Sequence, residues 1–284
     1  MSLAQNKETW EIMARSWVDL VKPPSRPCPT QLKIWEKVIR TIKAKKANPK
    51  ALTLGSTPEF RDLLASHGYE VTVCDLNEGM ILAMEKLMHQ TEKNEHYLVS
   101  NWLTTKFKEG EFDLVLGDAS LNQILNLDEL IKLLNKISKI LSPDGYFLTR
   151  EVVAVTSNKM ITPEQVGNYF AARREGQLSD IELFNYLKYS SYINPCLRSP
   201  TIVDSYAVYQ ELLKINKKYE IKDFFNWYQD AHSNAHKYMM LLFKDHLQDL
   251  LSKDFEISPL EQCQDYHFCA MQMPAYLLKK KYDA

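Results

Sequence analysis

The chain has 284 residues, 45% hydrophobic and 11% aromatic, enough for a sizeable core in one large domain or one domain with a cap. Its 35 Lys and Arg residues nearly balance its 36 Asp and Glu residues, for a net charge of −1. This balance provides no overall field that would recruit nucleic acid or an anionic membrane. No stretch approaches the ~18 apolar residues of a spanning helix, and the first residues lack a signal-peptide core, so we expect a cytoplasmic protein.

The first 31 residues are predicted to form an extended or helical lid segment. This segment ends in a proline-dense run with four prolines between positions 23 and 29, a density that excludes a continuous helix. Trp10, Trp17 and Arg26 could close a ligand pocket or simply anchor the segment to the domain.

Residues 32–155 alternate short apolar runs with amphipathic stretches, a pattern typical of repeated β-α units around a parallel sheet. Strands are predicted at 51–54, 70–74, 97–100, 114–116 and 146–149, with helices at 58–66, from 77 and from 126. The run from Ser56 to Glu59 indicates a helix start because it combines a hydroxyl cap, an early proline and a glutamate that can reach back. Asn126 is the corresponding cap of the third helix.

Residues 156–250 are predicted to be a helical insertion, with helices at 178–189 and 206–215 and few strand signals. The insertion holds nine of the 15 tyrosines, most of which we expect to pack in a helical core. Residues 251–284 return to strand-like composition at 255–257 and 267–279, so we expect them to complete the core that residues 32–155 begin.

The five cysteines are scattered, at positions 28, 74, 196, 263 and 269. No two of them have Cys-x-x-Cys spacing, so the sequence supports neither a disulfide framework nor a zinc knuckle. We expect reduced, structural thiols and no metal site.

The first predicted strand runs directly into Gly55 and then into a helix start. Glycine there permits a positive φ or a close approach of a ligand, and the helix N-terminus suits an anionic group. Twenty residues later the second strand ends in Asp75, where an acidic side chain can accept hydrogen bonds from both hydroxyls of a ribose. A purely structural strand-glycine-helix corner is the competing interpretation.

The glycine count bears on the identity of the ligand. A dinucleotide fingerprint needs several glycines because a pyrophosphate must lie against the backbone, whereas here Gly55 stands alone and Thr57 and Glu59 occupy the later positions. The amino-acid tail of S-adenosylmethionine needs less clearance than a pyrophosphate. A single-glycine turn therefore favours S-adenosylmethionine over NAD.

Two further strand ends carry polar or aromatic residues. Asn101 could hydrogen-bond an adenine edge and Trp102 could cover its face, although Trp102 could equally be a core anchor. Gly117 and Asp118 end the fourth strand at the edge where open α/β sheets bind ligands, and Asp118 could instead cap the next turn.

The motifs LTLGSTPE, VTVCDLNEGM, VSNW, FDLVLGDASLN and LSPDGYFLTRE occur in order over residues 32–152, and here the chain resembles the class I S-adenosylmethionine-dependent methyltransferases. The resemblance implies an α/β, Rossmann-like, doubly wound and mostly parallel seven-stranded sheet with an antiparallel last strand and a helical insertion. It divides the chain into a lid segment at 1–31, a methyltransferase core at 32–155 and 251–284, and a substrate cap at 156–250.

The resemblance also implies residues that bind the cofactor. Gly55, Ser56 and Thr57 would cradle the methionine part and Asp75 the ribose. The adenine would be bordered by Leu76, Met80, Asn101 and Trp102, and the methyl donor would face Gly117 and Asp118. Thr53 and Asn101 stand where the family commonly has acids, and Thr57 and Glu59 where it has glycines. A non-catalytic adenosyl-ligand-binding protein, or an NAD(P)-linked oxidoreductase, remains an alternative.

For methyl transfer the sequence does not single out a catalytic base. Asp118 and Glu151 lie near the sheet edge, and His232 and His236 come from the insertion. The i, i+4 spacing of the two histidines could begin a metal site, but no third ligand is signalled. The neutral charge favours a small-molecule acceptor over nucleic acid, and the oligomeric state is open.

Overall fold

The computed structural model of this chain describes residues 23–154, 162–188, 202–219, 237–266 and 269–281. Within them lies a seven-stranded sheet in the order β3-β2-β1-β4-β5-β9-β8. Its strands are β1 (Lys50–Leu54), β2 (Glu70–Asp75), β3 (Asn94–Val99), β4 (Phe112–Asp118), β5 (Leu141–Arg150), β8 (Phe255–Ser258) and β9 (Ala275–Lys280). β1 to β5 are parallel and β9 is antiparallel to both neighbours. The predicted Rossmann-like, doubly wound sheet is confirmed.

Helix α1 (Pro29–Lys43) precedes β1 and is not among the helices that the sequence predicts. The helices between the parallel strands, which do begin where the sequence predicts, are α2 (Pro58–Ser66), α3 (Glu78–Glu85) and α4 (Leu127–Ile140). Asn77 caps α3 by accepting from the backbone N–H of Met80, and Asn126 caps α4 by accepting from two backbone N–H groups. These short polar side chains satisfy donors that a helix N-terminus leaves without an intrahelical partner.

Successive residues of the central strands face opposite layers of helices. Ala51, Leu114 and Leu148 pack with Trp35 and other residues of α1 and α2 on one face. The neighbouring residues Leu52, Val115 and Phe147 pack against α4 and α8 (Lys244–Asp254) on the other. Because strand side chains alternate with a period of two, an uninterrupted apolar run serves both layers.

The segment between β5 and α8 contains α5 (Pro163–Arg174), α6 (Asp180–Leu187), β6 (Ile202–Asp204), α7 (Ser205–Tyr219) and β7 (Tyr238–Met240). β6 and β7 form an antiparallel pair that the sequence does not signal, since each strand has only three residues. Apolar residues of the segment, among them Leu183, Val203 and Leu212, share a core with Cys28, Val152 and Met273. The described part of this segment therefore packs against residues that lie before α1 and before β9.

Two details differ from the predictions. The predicted strand at 267–279 is in its described part a short helix, α9 (Cys269–Gln272), followed by β9, because Pro274 interrupts strand pairing. The strand predicted at 146–149 begins earlier, at Leu141, and its pairing with β4 shifts register, since Phe112 pairs with Leu141 and Leu114 with Tyr146. No helix in the described ranges has the length and apolar character that crossing a membrane needs.

Candidate cofactor site

The strand order reverses between β1 and β4, the two strands that start the opposite halves of the sheet. Leu54 pairs with Gly117 at this point, so the loops after β1 and β4 open side by side. A crevice outside the carboxyl ends of the strands at such a switch point is where open α/β sheets bind ligands. The predicted residues at 55–57, 75 and 117–118 flank this crevice.

Gly55 makes the turn from β1 towards α2. Its φ is +95°, which side chains of L-residues rarely tolerate, and its N–H donates to the Cys74 carbonyl at 2.9 Å. A Cβ atom placed on Gly55 would lie 3.9 Å from both Asp75 Oδ2 and Trp102 Cζ2. The structure therefore brings Gly55, Asp75 and Trp102 together around one small space.

The Asp75 carboxylate points into that space. Ser56 Oγ donates to Asp75 Oδ2 at 3.1 Å, and the Asn77 N–H donates to Oδ1 at 2.9 Å. Burial raises the pKa of the Asp75 carboxyl, while the Asn77 and Leu76 N–H groups and the Ser56 hydroxyl counteract this effect. A buried carboxylate held by three donors is ready to accept additional hydrogen bonds from a ligand.

The loop after β3 places Asn101 and Trp102 next to this carboxylate. Trp102 Nε1 donates to the Cys74 carbonyl at 2.7 Å, the same oxygen that accepts from Gly55. Asn101 Oδ1 accepts from the Leu103 N–H at 2.9 Å. Because an amide oxygen has two lone pairs, Asn101 can accept one more hydrogen bond.

Gly117 serves the packing of the β4 loop. A Cβ on Gly117 would lie 2.2 Å from Ser120 Oγ and 3.0 Å from Thr149 Oγ1, so only glycine fits there. Two residues further on, Ala119 has a φ of +52°, and its N–H donates to the Arg150 carbonyl at 2.7 Å. The chain turns sharply after β4 and directs Asp118 towards Arg150.

Asp118 is engaged by Arg150 in a bidentate ion pair. Arg150 Nε and Nη2 donate to the two carboxylate oxygens at 2.7 and 2.9 Å, and both side chains are buried. Arg150 Nη1 also donates to the carbonyls of Pro24 and Arg26. Asp118 therefore orients the proline-rich segment through Arg150, and a role as base would require breaking this pair. The sequence analysis did not single out Arg150, although an arginine within an otherwise apolar strand is a sequence feature that could have identified it.

Two buried polar atoms near the crevice have no hydrogen-bond partner among the described residues: Thr53 Oγ1 and Glu59 Oε2. The other oxygen of Glu59 accepts from Arg26 at 2.6 Å, so Arg26 anchors the proline-rich segment to α2. Burial raises the pKa of the Glu59 carboxyl. Unsatisfied oxygens beside the Gly55 turn fit an amino-acid tail whose ammonium group donates hydrogen bonds.

The other predicted residues divide into three groups. Thr57 precedes α2 and Leu76 follows Asp75, so both border the crevice. Met80 is buried with Met84 in a small cluster along α3. His232 and His236, like Trp10 and Trp17, lie outside the described residues.

Three of the cysteines lie together in the folded chain, although their spacing in the sequence does not predict this. The thiols of Cys28, Cys263 and Cys269 converge, with their Sγ atoms within 4.8 Å of one another. Sequence spacing missed this cluster because Cys28 is more than 230 residues from the other two.

The chain is similar to a known domain family and to solved structures with the same fold. Residues 52–149 match a family described as a methyltransferase domain, and no curated protein was found to match the chain. A Rhodobacter sphaeroides structure with the provisional name Zn-dependent alcohol dehydrogenase has a TM-score of 0.58 at 12% identity, over 99% of this chain and 100% of that one. The CcbJ methyltransferase from Streptomyces caelestis has a TM-score of 0.55 at 13% identity, over 99% of each chain.

A third similar structure contains a ligand. The N-methyltransferase NodS from Bradyrhizobium japonicum, in complex with S-adenosylhomocysteine, has a TM-score of 0.52 at 11% identity, over 96% of this chain and 99% of that one. At these identities the three structures establish the fold, and their individual activities do not transfer. The fold is that of a class I methyltransferase domain. Residues 52–149 match the methyltransferase domain family.

Proposed function

We propose that this chain transfers a methyl group from S-adenosylmethionine to a small-molecule acceptor. The observation that carries the proposal is the convergence of Gly55, Ser56 and Asp75 at the switch point of the sheet. The space over Gly55, the buried Asp75 carboxylate and the unsatisfied oxygens of Thr53 and Glu59 fit an adenosine with an amino-acid tail.

Each residue of the crevice has a distinct binding role in this proposal. Asp75 accepts hydrogen bonds from the two ribose hydroxyls, and Gly55 provides the clearance for the adjoining tail. Leu76 and Trp102 border the adenine, and the free lone pair of Asn101 Oδ1 accepts from its amino group. Glu59 Oε2 and Thr53 Oγ1 accept from the ammonium group of the tail.

The bound cofactor supplies a methyl group that is already activated on a sulfonium. The contribution of the protein is therefore to hold the acceptor in line with that methyl group, and such positioning can supply much of the rate enhancement. Both oxygens of Asp118 are paired with Arg150, so the proposal assigns Asp118 to positioning and not to proton abstraction.

The acceptor is bound, in this proposal, under the cap formed by residues 156–250, with 1–31 as lid segment and 32–155 and 251–284 as core. The small-molecule class is supported by the near-zero net charge, which provides no overall field that would recruit nucleic acid. The four described thiols are unpaired, as is usual in the reducing cytoplasm where we place the protein.

The proposal predicts that Asp75→Ala weakens binding of S-adenosylhomocysteine at least ~10-fold, because hydrogen bonds to a charged group contribute about 1.5–3 kcal/mol each. Isothermal titration calorimetry measures this affinity. Glu70→Ala is the matched control because Glu70 is a half-exposed acid at the opposite end of the same strand, and it should leave the affinity unchanged.

The same titrations with NADH separate the competing classes. Binding of NADH without binding of S-adenosylhomocysteine would refute the methyltransferase assignment and favour an oxidoreductase. Equal affinity of wild type and Asp75→Ala would refute the ribose contact. Mass spectrometry of methylated products in an acceptor screen then distinguishes an enzyme from a protein that only binds adenosyl ligands.

A further inference from the structure

Three buried cysteines meet at a junction of distant chain segments. Cys28 precedes α1, Cys263 lies in the loop after β8, and Cys269 begins α9. Their exposed fractions are 0%, 3% and 2%, and their Sγ atoms lie within 4.8 Å of one another. We propose that Cys28, Cys263 and Cys269 form a thiolate site for one zinc ion.

The spacing of the sulfurs suits a single ion. Zinc binds thiolates at ~2.3 Å with tetrahedral angles, so two thiolates on one zinc are about 3.8 Å apart. The three sulfurs therefore need to close by no more than about 1 Å to coordinate the ion. Three soft sulfur donors select zinc or another thiophilic ion over magnesium or calcium, which prefer oxygen ligands.

Zinc binding would change the protonation of the cluster. Cysteines bind zinc as thiolates, so coordination by Cys28, Cys263 and Cys269 would release the three thiol protons to solvent. Three thiolates with one Zn²⁺ carry a net charge of −1.

A fourth ligand is close at hand. The Cys263 thiol lies 3.6 Å from Asp265 Oδ2, and carboxylates are established zinc ligands. Asp265 already accepts from the N–H and hydroxyl of Thr30 in the first turn of α1, at 2.9 and 2.5 Å. Asp265 or a water molecule would complete the tetrahedron.

The site would join the proline-rich segment to the C-terminal part of the sheet. Tyr266 supports the same junction, since its hydroxyl donates to the Pro23 carbonyl at 3.2 Å. Arg150, which holds the Pro24 and Arg26 carbonyls, interacts electrostatically with Cys269. The alternative is that the three cysteines pack as small apolar side chains, as buried free cysteines often do. The zinc proposal does not depend on the proposed methyltransferase activity.

The test is zinc binding by the full-length chain, stripped with a chelator under reducing conditions and titrated with zinc chloride. We expect one zinc per chain by elemental analysis, and protection of three thiols from alkylation. Substitution of residues that hydrogen-bond metal ligands typically lowers metal affinity ~10–100-fold. Cys28→Ser, Cys263→Ser and Cys269→Ser each replace a ligand itself and should weaken zinc binding by more than that. Cys74→Ala is the matched control because Cys74 is buried outside the cluster.

Two further measurements keep the test decisive if a serine variant folds poorly. Cobalt(II) added to the stripped wild type should give a thiolate-to-metal charge-transfer absorption, and zinc should raise the melting temperature of the wild type and of Cys74→Ala. Absence of both effects in the wild type overturns the proposal. Zinc binding that survives Cys263→Ser but is lost in His232→Ala/His236→Ala also overturns it, because the ion then lies elsewhere.

Discussion

At the scale of single residues, Glu151 shows how the sheet edge uses a buried carboxyl group. It lies at the end of β5 with no exposed surface and receives hydrogen bonds from the N–H groups of Leu121 and Asn122, both at 3.3 Å. Thr149 donates from its hydroxyl to the same carboxyl group. Burial nevertheless raises the pKa of Glu151 to about 8. Glu151 therefore holds the turn after β4 in place.

The raised pKa predicts a pH-dependent stability. Between the ordinary value of 4.5 and about 8, the folded state retains a proton that the unfolded state releases. The stabilisation is complete below pH 4.5 and is lost as the pH rises towards 8, with a slope of up to ~1.4 kcal/mol per pH unit. Glu151→Gln cannot titrate, so its free energy of unfolding should lack this slope in urea titrations from pH 5 to 8.

The control for this experiment is Glu70→Gln, which removes a half-exposed carboxyl from β2. Its stability should follow the wild type at every pH. If the curves of wild type and Glu151→Gln run parallel, Glu151 has the same pKa in the folded and unfolded states and the inference from burial is wrong.

At the scale of elements, Arg150 connects β5 to β4 and to the segment before α1. Its guanidinium binds Asp118 with two hydrogen bonds and donates to the Pro24 and Arg26 carbonyls. A planar donor group with five N–H bonds can satisfy all of these acceptors at once, which a lysine could not. One side chain thereby positions the proline-rich segment over the carboxyl edge of the sheet.

We predict that Arg150→Met destabilises the protein by ~3–5 kcal/mol, because it leaves the buried Asp118 carboxylate without its partner. It should also release the proline-rich segment, so that amides of residues 25–31 exchange hydrogen faster by mass spectrometry. Arg61→Met is the matched control, because Arg61 makes a similar buried bidentate pair with Glu95. A comparable stability loss in both variants with equal exchange at 25–31 would contradict the role of Arg150.

At the scale of the whole molecule, the segment between β5 and α8 is part of a continuous interior. Leu183, Val203 and Leu212 from this segment share one apolar cluster with Cys28 and Met273 from the two ends of the chain. Apolar residues buried in a common cluster lose their contacts together when either side unfolds. This segment and the sheet are thus expected to unfold as one unit.

Leu212→Ala, in α7, tests this cooperativity. We expect a loss of ~2–5 kcal/mol from the buried cavity, with circular dichroism and tryptophan fluorescence reporting one common transition. Lys214 is exposed and lies two residues further along α7. As the control, Lys214→Ala should change the free energy of unfolding by no more than about 0.5 kcal/mol. Two separate transitions in Leu212→Ala would show that the segment between β5 and α8 unfolds on its own.

Local signals were sufficient for most of the sheet and its helices. The proline and glutamate after Thr57 predict the start of α2, and Asn126 predicts the start of α4, because caps act over three or four residues. The strands β6 and β7 and the helix α9 were not predicted, since elements of three or four residues carry too little periodicity to register. Helix α1 was also not predicted, although it has 15 residues, because the proline-dense run before it was interpreted as the end of an extended segment.

The amino-acid sequence by itself determined the order of β-α units, the Gly55 turn and the acid at the end of β2, because each depends on neighbouring residues along the chain. Only the tertiary structure decided that Arg150 engages Asp118 and that Cys28 meets Cys263 and Cys269. Those contacts join residues 32 to 241 positions apart, and side chains at such separations are brought together by the packing of the whole sheet. No local pattern encodes them.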